Sequence, residues 1–274
     1  MRRRRKQKQT FTMLFMIAVF GAALGVSVAL VKSSGRAVTD MYETAPVIQT
    51  SEFADADHVP SPDNTVEKTL RQRLGLTDDD MQYLVLVNFD NRFDASGIEL
   101  VPNSYVFDDE LCMYHNRSCN ETAGLALNEL FRAGMTQGFG RFIVNSSYRD
   151  RREQTQIWEE RIAKEPNYGS DPYSSPVRAM PPGASEHETG LAFDVLTEEH
   201  PFANKWFGTF DDGKWLAEHC HEYGFILRYP EDKTHITGVQ YEPWHFRYVG
   251  IKAARYIHDE GICFEEFISR LNEG

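Results

Sequence analysis

An α+β fold is predicted for the later, larger part of the chain by three observations. After residue 64, strand-like and helix-like segments are mixed without a regular β-α-β rhythm, which favours a small, mostly antiparallel sheet flanked by helices. The hydrophobic content of 41% is ordinary for a globular domain with one sizeable core. An uncharged run at residues 11–31 stands ahead of that domain, so we expect one N-terminal transmembrane helix before it.

The N-terminal run has the length and flanks of a membrane anchor. Its 21 residues suffice to cross a hydrocarbon layer of about 30 Å at about 1.5 Å per residue. The basic tail at residues 1–10 should stay in the cytoplasm, which places the domain outside the membrane of a single-pass protein. A cleaved signal peptide is the alternative, but its apolar region usually has only about 7–15 residues. We therefore expect an uncleaved anchor.

The chain then divides into a linker and a domain. Residues 32–63 are polar, contain Ser, Thr and Pro, and show no sustained apolar periodicity, which is typical of an extracytoplasmic linker. Residues 64–274 form the predicted domain. Its expected elements, in order, are a helix from the cap Asn64 to Leu74, a strand at 83–88, a helix after Asn120, a strand at 141–148, a helix from the cap Asp150 to Lys164, a loop at 166–184, a strand at 191–196, a helix at 214–223, strands at 225–229 and 245–249, and helices at 251–259 and 264–271.

Charge limits the classes of partner. The chain has 29 basic against 41 acidic residues and a net charge of −12, and most of the first ten residues are basic. The domain is therefore strongly acidic, which argues against a nucleic-acid partner. An anionic substrate would need a local positive site.

Four cysteines follow the predicted anchor, where disulfides can persist. Four cysteines allow three pairings. The short spacing of Cys112 and Cys119 suggests one small stapled loop, which leaves Cys220 and Cys263 as the second pair. A cysteine zinc site is the competing use, but no Cys-x-x-Cys spacing is present. We therefore expect disulfides.

The stretch SEHETGLAFD at 185–194 carries the most chemical information. Strand alternation sends Leu191, Phe193 and Val195 to one face and leaves Asp194 on the other, beside small residues. Gly190 permits a turn that brings His187 back over Asp194. A cation with its ligands would fit there, although an Asp that simply faces water is a common alternative.

A second stretch, YEPWHFRY at 241–248, adds His245 and the carboxylate of Glu242. Two histidines and one carboxylate with an open fourth position form a common catalytic zinc set, in which a nearby Glu takes the proton of the attacking water. On an ideal strand Glu242 and His245 would point to opposite faces. Pro243 favours a strand start, which leaves Glu242 in the preceding turn.

Together these motifs resemble a known family. Ser-x-His-x-x-Gly-x-Ala-x-Asp followed by Glu-x-Trp-His is similar to the zinc D-alanyl-D-alanine carboxypeptidases of the VanY type, peptidase group M15B, and its LD-carboxypeptidase relatives. The likeness covers about 83–257 and includes the segments 147–149 and 223–230. It implies a hedgehog/DD-peptidase-like α+β fold.

The resemblance also implies roles for individual residues. By it, Zn²⁺ is bound by His187, Asp194 and His245, Glu242 is the catalytic base, and Arg149 stabilises the oxyanion. Four further residues match positions at or near the peptide-binding site, namely Ser147, Tyr148, Gln154 and Ser185. The family often has Gly where this chain has Ser147, which would alter the pocket.

The function expected from the resemblance is hydrolysis outside the cell membrane. A membrane-anchored zinc carboxypeptidase would remove the terminal D-alanine from peptidoglycan stem peptides. Within the same class, an L,D-carboxypeptidase acting on tetrapeptide stems is the nearest alternative, and an endopeptidase is a weaker one. A non-catalytic cell-wall-binding ectodomain is the alternative from another class, but such a domain needs no base at Glu242.

Overall fold

The computed structural model describes residues 68–273. The predicted tail at 1–10, anchor at 11–31 and linker at 32–63 lie outside the described residues, as do the first four residues of the predicted domain. Among the helices at 68–273, none combines the length and apolar character that crossing a membrane requires. The described residues belong to one compact unit.

The elements observed follow the predicted order closely. The helices of the described chain are α1 (Leu70–Leu74), α2 (Asp78–Met81), α3 (Asn103–Val106), α4 (Glu121–Thr136), α5 (Arg151–Lys164), α6 (Asp211–His219), α7 (Thr234–Thr237), α8 (Ile251–Glu260) and α9 (Phe264–Asn272). The strands are β1 (Val101–Pro102), β2 (Cys112–Tyr114), β3 (Ser118–Cys119), β4 (Phe142–Ser146), β5 (Ala192–Thr197), β6 (Phe225–Leu227) and β7 (His245–Tyr248). Short 3₁₀ turns occur at Glu186–Thr189, Lys205–Thr209, Cys220–Tyr223 and Glu231–Lys233.

Five strands form the main sheet, in the order β2-β4-β5-β7-β6. Only the β2–β4 pair is parallel, and the β4–β5, β5–β7 and β6–β7 pairs are antiparallel. The prediction of a small, mostly antiparallel sheet is confirmed. The two-stranded β1–β3 pair is separate from it.

Helix α4 covers one part of the sheet, as its sequence predicts. The Asn120 side chain caps it by accepting a hydrogen bond from the Ala123 amide, and the apolar stripe of Leu127, Leu130 and Phe131 is buried in the main core. The same core contains the predicted apolar face of β5, which comprises Leu191, Phe193 and Val195. One face of β5 thus packs in the core, and the other carries Asp194 together with Leu196, which is also buried in the core.

Two local predictions are wrong. Residues 84–87 form no strand, and the carbonyls of Tyr83 and Val85 instead accept hydrogen bonds from the Arg247 guanidinium at 3.1 and 2.9 Å. A side chain therefore satisfies this backbone where a neighbouring strand was expected. Helix α1 begins at Leu70 because Thr69 closes a capping box with Gln72, so Thr69 replaces Asn64 as the cap.

The predicted disulfides are also wrong, because all four cysteines are free and buried. Cys112 lies in the five-stranded sheet and Cys119 in the two-stranded one, so the segment between them is held by separate sheets. The thiol of Cys220 faces the Ala217 carbonyl, and Cys263 caps α9. Burial raises the pKa of each thiol to about 12. These residues act as small buried side chains.

Candidate metal centre and active site

A tight turn brings the first two predicted ligands together. The 3₁₀ turn Glu186–Thr189 ends at Gly190, whose φ of 72° lies in the left-handed region, and β5 follows. A Cβ at Gly190 would overlap the Leu100 side chain and approach the Asn120 amide to 3.1 Å. The predicted role of Gly190 in returning the chain is confirmed.

The sheet register supplies the third predicted ligand. Asp194 on β5 is paired with His245 on β7 across an antiparallel ladder, so both side chains lie on one face. His187 Nε2 lies 3.4 Å and His245 Nδ1 3.0 Å from the same Asp194 Oδ1 atom. Candidate ligand atoms of the three residues lie within 4.8 Å of one another, and all three residues are buried. Two imidazoles and a carboxylate at this spacing could hold a metal ion.

The surroundings of His187 fit a metal ligand. Its Nδ1 lies 2.7 Å from the Ser147 carbonyl, which can only accept, so Nδ1 carries the proton. Nε2 then carries no proton and has a free lone pair, and it is buried without a hydrogen-bond partner. Burial, helped by the Arg149 cation, lowers the pKa of His187 to about 4. The imidazole is therefore neutral at neutral pH, as a metal ligand must be.

His245 is held from its far side by a second carboxylate. Its Nε2 faces Glu186 Oε2 at 3.5 Å, which is an ion-pair distance, and neither atom forms a hydrogen bond. Burial alone would lower the pKa of His245, but the contacts with Asp194 and Glu186 outweigh it and raise that pKa to about 9. Metal binding near neutral pH would therefore displace a proton from His245.

Glu186 belongs to an ion network in which Arg228 and Arg247 are fully buried and Glu265 is partly buried. Its Oε1 accepts hydrogen bonds from Arg228 Nε at 2.7 Å and Arg247 Nη1 at 2.9 Å. Arg228 also forms a two-pronged contact with Glu265, at 2.9 and 2.6 Å. Burial opposes ionisation of Glu186, but the two guanidinium groups hold its pKa well below the usual range. This carboxylate stays charged behind the metal-facing histidine.

Glu242 reaches the site from the turn before β7. The His245 amide donates to the Glu242 carbonyl at 3.0 Å, and β7 starts only at His245, so the two side chains need not alternate. Glu242 Oε2 lies 3.9 Å from His245 Nδ1. Burial raises the pKa of Glu242 to about 7, which suits a group that takes and returns a proton near neutrality. Glu242 lies before the strand as predicted, but Pro243 belongs to the turn and is not the first residue of the strand.

Arg149 lies on the opposite side of Asp194. Its Nη2 is 3.9 Å from Asp194 Oδ2, and its Nη1 donates to Gln154 Oε1 at 2.8 Å. The Nε atom is buried without a partner. Gln154 is itself fixed by a hydrogen bond to the Met180 carbonyl at 2.6 Å. Arg149 therefore presents an oriented donor towards the site.

The predicted peptide contacts fall into two groups. Ser185 lines a cavity of about 290 Å³ together with the ligands, Glu242 and Arg149. Ser147, Tyr148 and Gln154 lie outside that lining. The Ser147 hydroxyl is buried and accepts a hydrogen bond from Asn103 Nδ2 at 3.0 Å. The Ser147 carbonyl faces His187 Nδ1. Ser147 and Gln154 are buried, whereas Tyr148 is partly exposed, and the contacts of all three with a peptide stay predictions.

Sequence reasoning missed two arginines of the cavity, Arg161 and Arg178. A signal for Arg161 was present, since Gln154, Ile157 and Arg161 share one face of α5 at helical spacing. Arg178 lies in the loop predicted at 166–184, and no motif or periodicity there indicates that it faces the site. Long loops in compact domains often carry functional residues.

Known proteins are similar to this chain in sequence and fold. The model of the family VanY, D-alanyl-D-alanine carboxypeptidase, matches residues 116–251. A D-alanyl-D-alanine carboxypeptidase of Enterococcus faecalis is 34% identical over 215 residues, which are 76% of this chain and 73% of that protein.

Two solved structures are similar as well. The LdcB LD-carboxypeptidase has 32% identity and a TM-score of 0.60, over 68% of this chain and 86% of the other. A mutant of the vancomycin-resistance D,D-pentapeptidase VanY, in complex with Zn(II), has 35% identity and a TM-score of 0.55, over 68% and 99% of the two chains. With the matching motifs and fold, these similarities show that the chain belongs to the VanY-type carboxypeptidase family, peptidase group M15B.

Proposed function

We propose that this carboxypeptidase is a zinc enzyme that removes the terminal D-alanine from peptidoglycan stem peptides. The observation that carries the proposal is the joint placement of His187, Asp194 and His245 around one point, with the buried Glu242 beside them. The donor set suits zinc, and the similar D,D-pentapeptidase was solved with Zn(II). The D-Ala-D-Ala substrate follows the activity named for the similar E. faecalis protein.

Each residue of the site has a chemical task in this proposal. Zinc at the three ligands would supply a Lewis acid and lower the pKa of a bound water towards about 7. Glu242 accepts the proton of the attacking water and delivers it to the leaving amine, which its pKa of about 7 allows. Arg149 would donate to the oxygen on which negative charge develops, because its side chain lines the cavity and Gln154 orients its guanidinium.

The test is incubation of the full-length protein, in detergent and loaded with zinc, with muropeptides that end in D-Ala-D-Ala. We expect the loss of one alanine by mass spectrometry and no loss after chelation of the metal. A parallel incubation with tetrapeptide stems tests L,D-carboxypeptidase activity, which the similarity to LdcB favours as the second candidate. Cleavage of the tetrapeptide alone would replace the D,D assignment, and cleavage of neither would contradict both.

We also propose that residues 11–31 anchor the enzyme with its domain outside the cell membrane. Support comes from the uncharged run and the basic residues before it. Protease added to spheroplasts should digest the domain and leave a short membrane-bound fragment. If the domain resists protease in intact spheroplasts and is digested only after they are lysed, this orientation is contradicted.

A further inference from the structure

The cavity lining combines three carboxylates, Glu186, Asp194 and Glu242, with as many arginines. The chain as a whole has a net charge of −12, yet three arginines line the cavity, namely Arg149, Arg161 and Arg178. A strongly acidic domain requires a local positive site if it is to hold an anionic substrate. These arginines provide one.

The carboxylates of the cavity already have other tasks. Asp194 faces both histidines of the metal centre, and Glu186 is bonded to Arg228 and Arg247. Glu242 is the proposed base. Of the cavity's arginines, Arg149 lies innermost, beside Asp194, where it serves the reacting end of a peptide. Arg161 is paired only with Glu165 outside the lining, and Arg178 approaches Glu242 no closer than 3.9 Å, so neither guanidinium forms a hydrogen bond with a carboxylate of the cavity lining.

The positions of these two arginines indicate which part of a peptide they meet. Their side chains are 41% and 47% exposed, against 17% for Arg149, so they lie at the open mouth of the cavity. A carboxypeptidase holds the last residue at the closed end, and the preceding residues lead out through the mouth. The mouth therefore meets the part of the peptide on the N-terminal side of the scissile bond.

Arg178 is held in place at this mouth by several contacts. Its guanidinium lies over the Trp244 ring at 4.9 Å from the ring centroid, and Nη2 donates to the Ala203 carbonyl at 3.2 Å. Its Nε is 3.9 Å from Glu242 Oε1, which is too long for a hydrogen bond. The group is oriented by its neighbours and still has donors to offer.

Arg161 is held less firmly. Its guanidinium lies over the Tyr168 ring at 5.5 Å, and Nη1 is 3.5 Å from Glu165, one helical turn away. An exposed pair at this spacing contributes little, so a substrate carboxylate can replace Glu165 at small cost.

We propose that Arg161 and Arg178 form a subsite for a second carboxylate of the substrate, carried by a residue on the N-terminal side of the scissile bond. The enzyme then selects peptides with a free acidic side chain there over peptides in which that group is amidated. This inference rests on the proposed peptidase function and goes beyond it, because it names a chemical feature of the preferred substrate.

The test uses two synthetic peptides that end in D-Ala-D-Ala and differ at the preceding residue, which is either glutamic acid or glutamine. For the zinc-loaded full-length enzyme, we expect kcat/KM to be about fivefold higher for the acid, mainly through KM. The preference should fall at high salt, because both arginines are partly exposed. In the double variant Arg161→Gln and Arg178→Gln, the acid-to-amide ratio should fall to about one.

Arg152→Gln is the matched control, since Arg152 is on the same helix α5, exposed and outside the cavity lining. It should keep the acid preference of the parent enzyme. Equal hydrolysis of both peptides by the parent enzyme would overturn the subsite, and so would a double variant that loses activity equally on both. Cleavage of neither peptide would refute the proposed function itself, which is a separate outcome.

Discussion

Two clusters of buried charge meet at His245 and differ in how fully their members are paired. Behind the histidine, Glu186 is bonded to Arg228 and Arg247, and Arg228 is bonded again to Glu265. In front of it, His187 Nε2 forms no hydrogen bond, and one oxygen of Asp194 faces both imidazoles at 3.4 and 3.0 Å. Burying a charge is costly unless it is paired, so the charges of the first cluster compensate one another and the second cluster is suited to binding a cation.

This difference shows how the molecule can hold reactive groups in a buried place. The paired cluster fixes the orientation of His245, and the turn Glu186–Thr189 places a member of each cluster on adjacent residues. The rigidity of one cluster therefore serves the chemistry of the other.

The largest effect is expected from Glu242→Gln, which keeps the shape of the side chain and removes the base. We expect kcat to fall about 10³-fold, because proton transfer from the attacking water is lost. Zinc content, measured by atomic absorption, should stay at the level of the parent protein, since Glu242 is not one of the proposed ligands. Unchanged activity with bound zinc would remove Glu242 from the mechanism.

A smaller effect on zinc binding is expected from Glu186→Gln, which breaks the link between the clusters. Loss of the carboxylate leaves the buried Arg247 without an anionic partner and Arg228 with Glu265 alone. It also removes the negative charge that faces His245 Nε2. We expect zinc affinity, measured by chelator competition, to fall about 10- to 100-fold and the free energy of unfolding to fall by about 3 kcal/mol.

Glu188→Gln is the control for Glu186, because both residues lie in the same turn and are buried. Glu188 is bonded to Arg151 and to the Gly183 amide, away from the ligands. It should therefore lower stability with little change in zinc affinity. If the two variants bind zinc with equal affinity, Glu186 and its paired cluster do not contribute to zinc binding.

The pH dependence of kcat/KM tests Glu242, which lies beside the unpaired cluster of His187 and Asp194. Glu242 must be ionised to act as a base, and burial raises its pKa to about 7. We therefore expect kcat/KM to fall about tenfold for each pH unit below that pKa and to level off above it. Bound zinc favours the carboxylate, so the acid limb should lie at or below pH 7 in the loaded enzyme. A flat profile from pH 5 to 8, with zinc retained throughout, would contradict this role.

The smallest change is expected from Gly190→Ala, which disturbs the turn shared by both clusters. The φ of 72° disfavours any side chain, and a Cβ would overlap the Leu100 side chain. We expect a loss of about 2 kcal/mol in the free energy of unfolding, measured by urea denaturation. Gly138→Ala is the control, since its φ of 93° is also left-handed but a Cβ there meets no atom within 4 Å. Equal losses in both would assign the effect to backbone conformation alone.

Much of the fold was predictable because its signals are local. Asp150 caps α5 as predicted, and α4 begins directly after Asn120 as predicted, since a cap needs only a side chain and an amide three residues later. The two faces of β5 follow from strand alternation alone. The residue types of the metal centre were recognisable for the same reason, because each of its two motifs is a short, continuous segment.

The remaining features depend on partners far apart in sequence. Arg247 reaches the carbonyl of Val85, 162 residues away, and no local pattern at 83–88 distinguishes such a contact from a strand. The cysteines show the same limit, because spacing suggested pairs that the two sheets keep free. Sequence alone thus determined the local elements and the chemical character of the candidate ligands. Only the tertiary structure decided which carboxylate lies behind His245 and which arginines face the cavity, because long-range pairing depends on packing of the whole domain.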